Sequence, residues 1–249
     1  MKIRRIVVGL DTAPHSRSAL AAAACLADEL DADLEALFVE SEELHRLAGL
    51  PFARELGHST ASVRRFDPAS LERSLQAHAD EARRALTALA VPRALRWSLR
   101  VTRGSVTEEV LAASTGADLT VLGVARWGPE EMRFAQEAPA TLVVLTREGA
   151  RHGPLVAIVP ITIAPGQAVT LVRSLANAIG DGLTVLAVGA DLETAGAWCA
   201  QAAELLERQG RKASLEIVRE GQPEALQAAL DRLAPRAVAI VTPAPTPES

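Results

Sequence analysis

Tyrosine is absent from this 249-residue chain, and only three tryptophans and four phenylalanines are present. With so few rings there is no aromatic platform on which nucleic-acid bases could stack. An excess of positive charge is also missing. The 26 Lys and Arg against 31 Asp and Glu leave a net charge of −5, so no electrostatic footprint for a polyanion exists and nucleic acid is not an expected partner. Long apolar runs are lacking as well. The longest, "ALAAAACLA", falls far short of the roughly 20 residues that cross a bilayer, so no membrane partner is expected. Asp11 and His15 follow "IVVGL" almost at once, which breaks any secretory leader and predicts a cytoplasmic location. Only Cys25 and Cys199 are present, each in an alanine-rich helical context with no CxxC and no neighbouring histidine. They read as small core residues, with a disulfide or redox role as the alternative and no metal site.

What is there alternates between two periods. Ile3 to Leu10 is a β-branched run suited to a strand covered on both faces, which implies a parallel sheet. Residues 16–30 follow at helical spacing with Ser16 as the expected N-cap, and "DLEALFVE" gives a second strand through Val39. Residues 41–66 read as a long loop or short helical insertion, a kind of segment that is more often functional or mobile than neutral. Asp67 and Pro68 open a long helix with apolar positions Leu71, Leu75, Ala82, Ala85, Leu86 and Leu89, ending near Pro92. "ALRWSLRVTR" alternates as a half-buried edge strand. Its arginine row could recruit an anion, but charged side chains also guard an edge, and that is the reading preferred. Gly104 leads into a helix over 105–115, "ADLTVLG" is a fourth strand ending at Gly123, a short helix follows near 129–137, and "ATLVVL" is a fifth strand.

The second part of the chain repeats the first. "IVPITIAPGQAVTL" lies on "VVGLDTAPHSRSAL", with Ala164 and Pro165 matching Ala13 and Pro14. "LTVLAV", a helix over 191–209, "KASLEIV", Gly221 and "RAVAIV" then echo their counterparts in order. The expected fold class is therefore α/β, with two doubly wound parallel-sheet domains in tandem and right-handed crossovers. Residues 1–148 form the first, with five strands; residues 153–243 form the second, which lacks the last helix and strand; 244–249 are a proline-rich tail.

A strand ending in "VGLD", a Ser-rich helix start, a strand ending in "FVE", a long amphipathic helix, a Gly-led short helix and "ADLTVLG" together resemble the universal stress protein family. The resemblance covers residues 1–147 well and 154–242 more faintly, as a tandem form with a degenerate second repeat. It implies a Rossmann-like domain of the adenine nucleotide alpha hydrolase type, strand order 3-2-1-4-5, and dimerisation, or its intramolecular equivalent, through the last strand.

In the ATP-binding branch of that family, an acidic residue at the carboxyl end of the first strand accepts hydrogen bonds from the base at the topological switch point. Asp11 matches it. Thr12 and Val39 complete the adenine side that the resemblance implies. The phosphates would be held by a loop of the form G-x2-G-x9-G-S/T after the fourth strand, where bare backbone N–H groups close around an anion. Gly123 is the first glycine of that pattern, and there the match stops. Arg126 stands in place of the second glycine, Gly128 is out of register, no Gly-Ser or Gly-Thr follows before Ala140, and "VARWGPEEMRFAQEAPA" is too short for the family loop and a full helix. Glu130 and Glu131 stand where a triphosphate would lie, although Arg126 could bind phosphate in part. In the second half Thr162 replaces the aspartate, Pro160 replaces Gly9, and "IVTPAP" replaces the glycine.

Asp11, His15 and Ser16 have the residue types of a nucleophilic triad, but within one turn and helix start their side chains diverge. His45 and His58 lack zinc spacing and read as solvated loop histidines. Trp127, in the degenerate loop, either plugs the vacated phosphate space or packs between the halves. The expectation is a non-catalytic protein with a regulatory or stress-response role exerted through an unidentified protein partner, with no cofactor. Its alternative is ATP or AMP sensing, or slow ATP hydrolysis, at a residual pocket of Asp11, Thr12, Val39, Gly123 and Arg126. The two halves are expected to form an intramolecular pseudo-dimer, and the unmatched strand 141–146 to pair across the domain seam or to make a homodimer.

Overall fold

The computed structural model describes residues 3–48, 50, 54–56, 63–65, 68–126, 128–140, 142–147, 153–179 and 182–242. The first part of the chain folds as β1 (Arg5–Leu10), α1 (His15–Leu30), β2 (Asp33–Ser41), α2 (Glu42–Ala48), β3 (Arg54–Leu56), β4 (Val63–Arg65), α3 (Pro68–Ala90), β5 (Trp97–Gly104), α4 (Val106–Ala113), β6 (Leu119–Val124), α5 (Pro129–Glu137) and β7 (Leu142–Arg147). The second folds as β8 (Leu155–Pro160), α6 (Pro165–Ile179), β9 (Leu183–Gly189), α7 (Leu192–Arg208), β10 (Ser214–Arg219), α8 (Pro223–Leu233) and β11 (Ala237–Val241). The insertion at 41–66 thus contains helix α2 and the antiparallel pair β3–β4. Trp127, His58 and the tail 243–249 lie outside the described residues.

Local chemistry accounts for the boundaries. β1 is buried from its second residue onward, as a β-branched run covered on both faces must be. α3 opens on Pro68, whose missing N–H costs nothing in a first turn. α7 is capped by Asp191, whose side chain accepts from the Thr194 backbone N–H at 2.8 Å. Ser16 is not the cap of α1. Pro14 occupies that position without a side-chain bond, and Ser16, inside the first turn, turns its hydroxyl back toward Asp11 instead.

Nine of the strands form one sheet in the order β10-β9-β8-β11-β7-β6-β1-β2-β5, and β3 and β4 pair apart from it. Residues 5–147 contribute five neighbouring strands in the order 3-2-1-4-5, and residues 155–241 contribute four in the order 3-2-1-4. Within this sheet every pairing is parallel except β7–β11, which joins the two parts. Helices cover both faces. One layer packs residues of α1, α3, α6 and α7 on the sheet and the other packs residues of α4, α5 and α8. Both layers run through the join, where Leu142, Val143, Val144 and Leu145 are fully buried. Each contributes on the order of 2 kcal/mol by leaving water.

This arrangement corrects the expectation of a homodimer through strand 141–146. β7 is bonded to β6 on one side and to β11 on the other, so it has no free edge to offer a second chain. The unmatched strand is instead satisfied across the seam. At the far edge, β5 carries its arginines outward, and each meets carboxylates of β2 or its flanks. Arg100 lies 3.5 Å from Glu35, Arg103 lies 3.3 Å from Glu40, and Arg96 bonds Asp33. The hydrogen bond that Arg96 donates to Asp33, with the charges of Asp33 and Asp31, holds the Arg96 guanidinium above the ordinary arginine range. The row is paired with carboxylates of its own sheet.

Candidate functional site

The switch point lies where β1 and β6 end side by side. Asp11 leaves β1 there, and its carboxylate serves its own loop. Oδ1 accepts from the Ala13 backbone N–H at 2.9 Å and from the Ser16 hydroxyl at 2.6 Å, while the Asp11 backbone N–H donates to Ser16 Oγ at 2.9 Å. This closed ring fixes the turn into α1, in the manner of an Asx turn locked by a side chain from the helix. His15 Nε2 approaches only the other oxygen, Oδ2, at 4.0 Å. The Ser16 hydroxyl is therefore engaged by a carboxylate and not by the imidazole, and no nucleophile–base pair is assembled.

Gly123, one residue before the end of β6, lies against the start of α1. A Cβ at this position would lie 2.5 Å from the His15 backbone oxygen and 2.8 Å from its carbonyl carbon. The absent side chain is thus required by the close approach of helix backbone to strand. The contact fixes the end of the strand against the first turn of α1.

A cavity of about 390 Å³ opens beside the loop, with Asp11 and Thr12 on one wall and His78, Glu81 and Ala82 of α3 on the other. Leu20 and Phe38 form its apolar floor, and Arg17 and Glu81 pair between the walls. Of the five residues singled out from the sequence, the cavity gathers Asp11 and Thr12. Val39 is buried in the opposite core layer, among Leu37, Val110 and Val124. Gly123 is buried, Arg126 is exposed, and neither lines the cavity. The α3 wall was the part that sequence reasoning missed. Its signal is the spacing of His78, Glu81, Ala82 and Ala85, which places them on one helical face.

His45 is not a loop histidine. It sits in α2, with Nδ1 3.2 Å from the Ser41 carbonyl oxygen and Nε2 3.4 Å from Glu72. Cys25 and Cys199 are both half-buried free thiols, and burial pushes the Cys199 thiol up. Trp198 is buried in the core and donates its indole N–H to the Ile163 carbonyl at 2.7 Å. Among the described residues, no group of three His, Cys, Asp or Glu side chains is placed to hold a metal ion. No described helix is long and apolar enough to cross a membrane.

Neither a protein-family model nor a curated protein matches the chain in sequence. Solved structures do match in fold. A universal stress protein from Archaeoglobus fulgidus DSM 4304 is 10% identical with a TM-score of 0.58, over 97% of this chain and 99% of that one. A Pseudomonas aeruginosa UCBPP-PA14 protein provisionally assigned to the universal stress proteins is 15% identical with a TM-score of 0.50, over 97% and 94% of the two chains. A functionally unknown protein from Pseudomonas aeruginosa PAO1 is 13% identical with the same TM-score, over 97% and 93%. The chain has the fold of universal stress proteins; at these identities the likeness is one of fold.

Proposed function

We propose that this chain is a tandem universal stress protein that does not cradle a nucleoside triphosphate and acts without catalysis, as a regulatory or stress-response protein working through a protein partner. Its two repeats form a built-in pseudo-dimer, and the last strand of the first repeat takes the pairing place that a second subunit would otherwise fill. The observation that carries this reading is the run after Gly123, where Arg126 stands in place of a second glycine and no Gly-Ser or Gly-Thr pair follows before Ala140, so the bare backbone N–H groups that would close around a phosphate are not supplied. The engagement of Asp11 Oδ1 by Ala13 and Ser16 supports it, because that oxygen is committed to holding the turn into α1.

The cavity beside Asp11 and Thr12 favours a second reading, in which an adenine moiety enters against Leu20 and Phe38 and the protein senses ATP or AMP or hydrolyses ATP slowly. Nucleotide retained through purification, followed by equilibrium dialysis with ATP, separates the two. The expected result is no stoichiometric nucleotide in the wild-type protein and no change in Asp11→Ala. Retention of ATP by the wild type and its loss from Asp11→Ala would reverse the order of the two readings.

A further inference from the structure

A second cavity, of about 370 Å³, lies at the join of the two repeats, between α1 and α6 and above the β7–β11 pair. Three arginines line it, Arg17, Arg147 and Arg236, and among the described residues no carboxylate does. In a chain of net charge −5, three arginines gathered on one cavity are a selective feature. Arg17 is paired with Glu81. Arg147 and Arg236 are different: both are half-buried, and among the described residues neither has a carboxylate partner.

The sheet itself brings these two together. Thr146 stands opposite Ala237 in the antiparallel register, so the next pair outward is Arg147 with Arg236, and the Arg147 backbone N–H donates to the Arg236 carbonyl at 3.2 Å. Like charges directly opposed across strands are destabilising, and half-burial sharpens the repulsion. An anion seated between them removes it. Guanidinium groups present planar N–H forks that suit phosphate oxygens in pairs. A further polar group waits there: Thr146 lines the cavity, is 4% exposed, and its buried hydroxyl has no hydrogen-bond partner. The opposing wall is apolar, with Ala22 and Ile179, and the volume is that of a small-molecule site, larger than a bare phosphate needs.

We propose that the seam cavity binds a small phosphomonoester, its phosphate held by Arg147 and Arg236 and its organic part lying against Ala22 and Ile179. The site is separate from the switch point and uses a pairing that exists only because both repeats share one sheet. Occupancy would stabilise the join, since a ligand bound only to the folded state adds to stability with its concentration.

The test is calorimetric titration of the full chain with glycerol 3-phosphate and with AMP at constant ionic strength, using chloride as the control anion. Saturable binding of either is expected, and the two arms tell a general phosphomonoester site from a nucleotide site. Arg147→Gln and Arg236→Gln should each weaken binding roughly ten- to a hundredfold, whereas Asp11→Ala should leave it unchanged. The same ligand should slow alkylation of Cys25, which lines the cavity, and not that of Cys199, which does not. That readout uses the wild-type protein and stands even if a variant fails to fold. Absence of saturable binding, unprotected Cys25, or binding lost in Asp11→Ala but kept in the arginine variants would each overturn the proposal.

Discussion

Gly123 and His15 are in backbone contact, the α-carbon of one set so close to the carbonyl of the other that a methyl group would stand 2.5 Å from the oxygen. The atom in the way belongs to the first turn of α1 and cannot swing aside like a side chain. Gly123→Ala should therefore destabilise the protein by about 1–3 kcal/mol. At roughly 2–4 °C per kcal/mol for a chain of this size, calorimetry should show a melting temperature several degrees lower. An unchanged melting point would mean that the helix start can shift.

The ring of bonds between Asp11 and Ser16 makes a second expectation. Asp11→Ala and Ser16→Ala should each cost about 1–2 kcal/mol in urea unfolding, because each leaves partners in a part-buried turn unsatisfied. The double variant should cost less than the sum of the two, since the same bonds are lost only once. Strict additivity would show that the ring is not a unit.

Asp191 gives a pH dependence whose sign can be worked out. The Thr194 hydroxyl and then its backbone N–H hold the Asp191 carboxyl below the ordinary aspartate range. A depressed folded-state value contributes stability above the unfolded value, about 4, and that contribution is lost as pH falls through the folded one. The difference in melting temperature between wild type and Asp191→Ala should be present near neutral pH and shrink as pH drops below about 4. A difference that grows on acidification would contradict the assignment.

The seam can be probed by division. A fragment ending at Arg147 exposes the edge of β7 that β11 covers, together with its flanking apolar side chains. Such an edge pairs with another copy or aggregates. Sedimentation velocity should find the fragment self-associated at concentrations where the full chain makes no association through that strand. A soluble, strictly monomeric fragment would show that the β7–β11 pairing is dispensable.

Much of this fold is legible in the sequence. The β-branched run before Asp11, the alternation of Trp97 and Leu99 with arginines, and the helical spacing from Leu71 to Leu89 each encode one element within a short window. The side-chain period and the element form together. The loss of glycines after Gly123 is legible in the same way. The site was legible only in part: Asp11 and Thr12 meet in one cavity, but His78 and Glu81 reach it from a helix some seventy residues on.

What the linear chain determined was the inventory: which segments are strands, which faces are apolar, and which glycines follow the fourth strand. Three-dimensional packing decided the rest. β7 pairs with β11 because both lack a neighbour and their apolar faces extend the same two core layers. Gly123 is committed to His15, and Arg147 stands beside Arg236, because sheet register fixes contacts between residues far apart in sequence. No local period records which distant edge a strand will meet; that choice is made by the burial and hydrogen bonding of the assembled sheet.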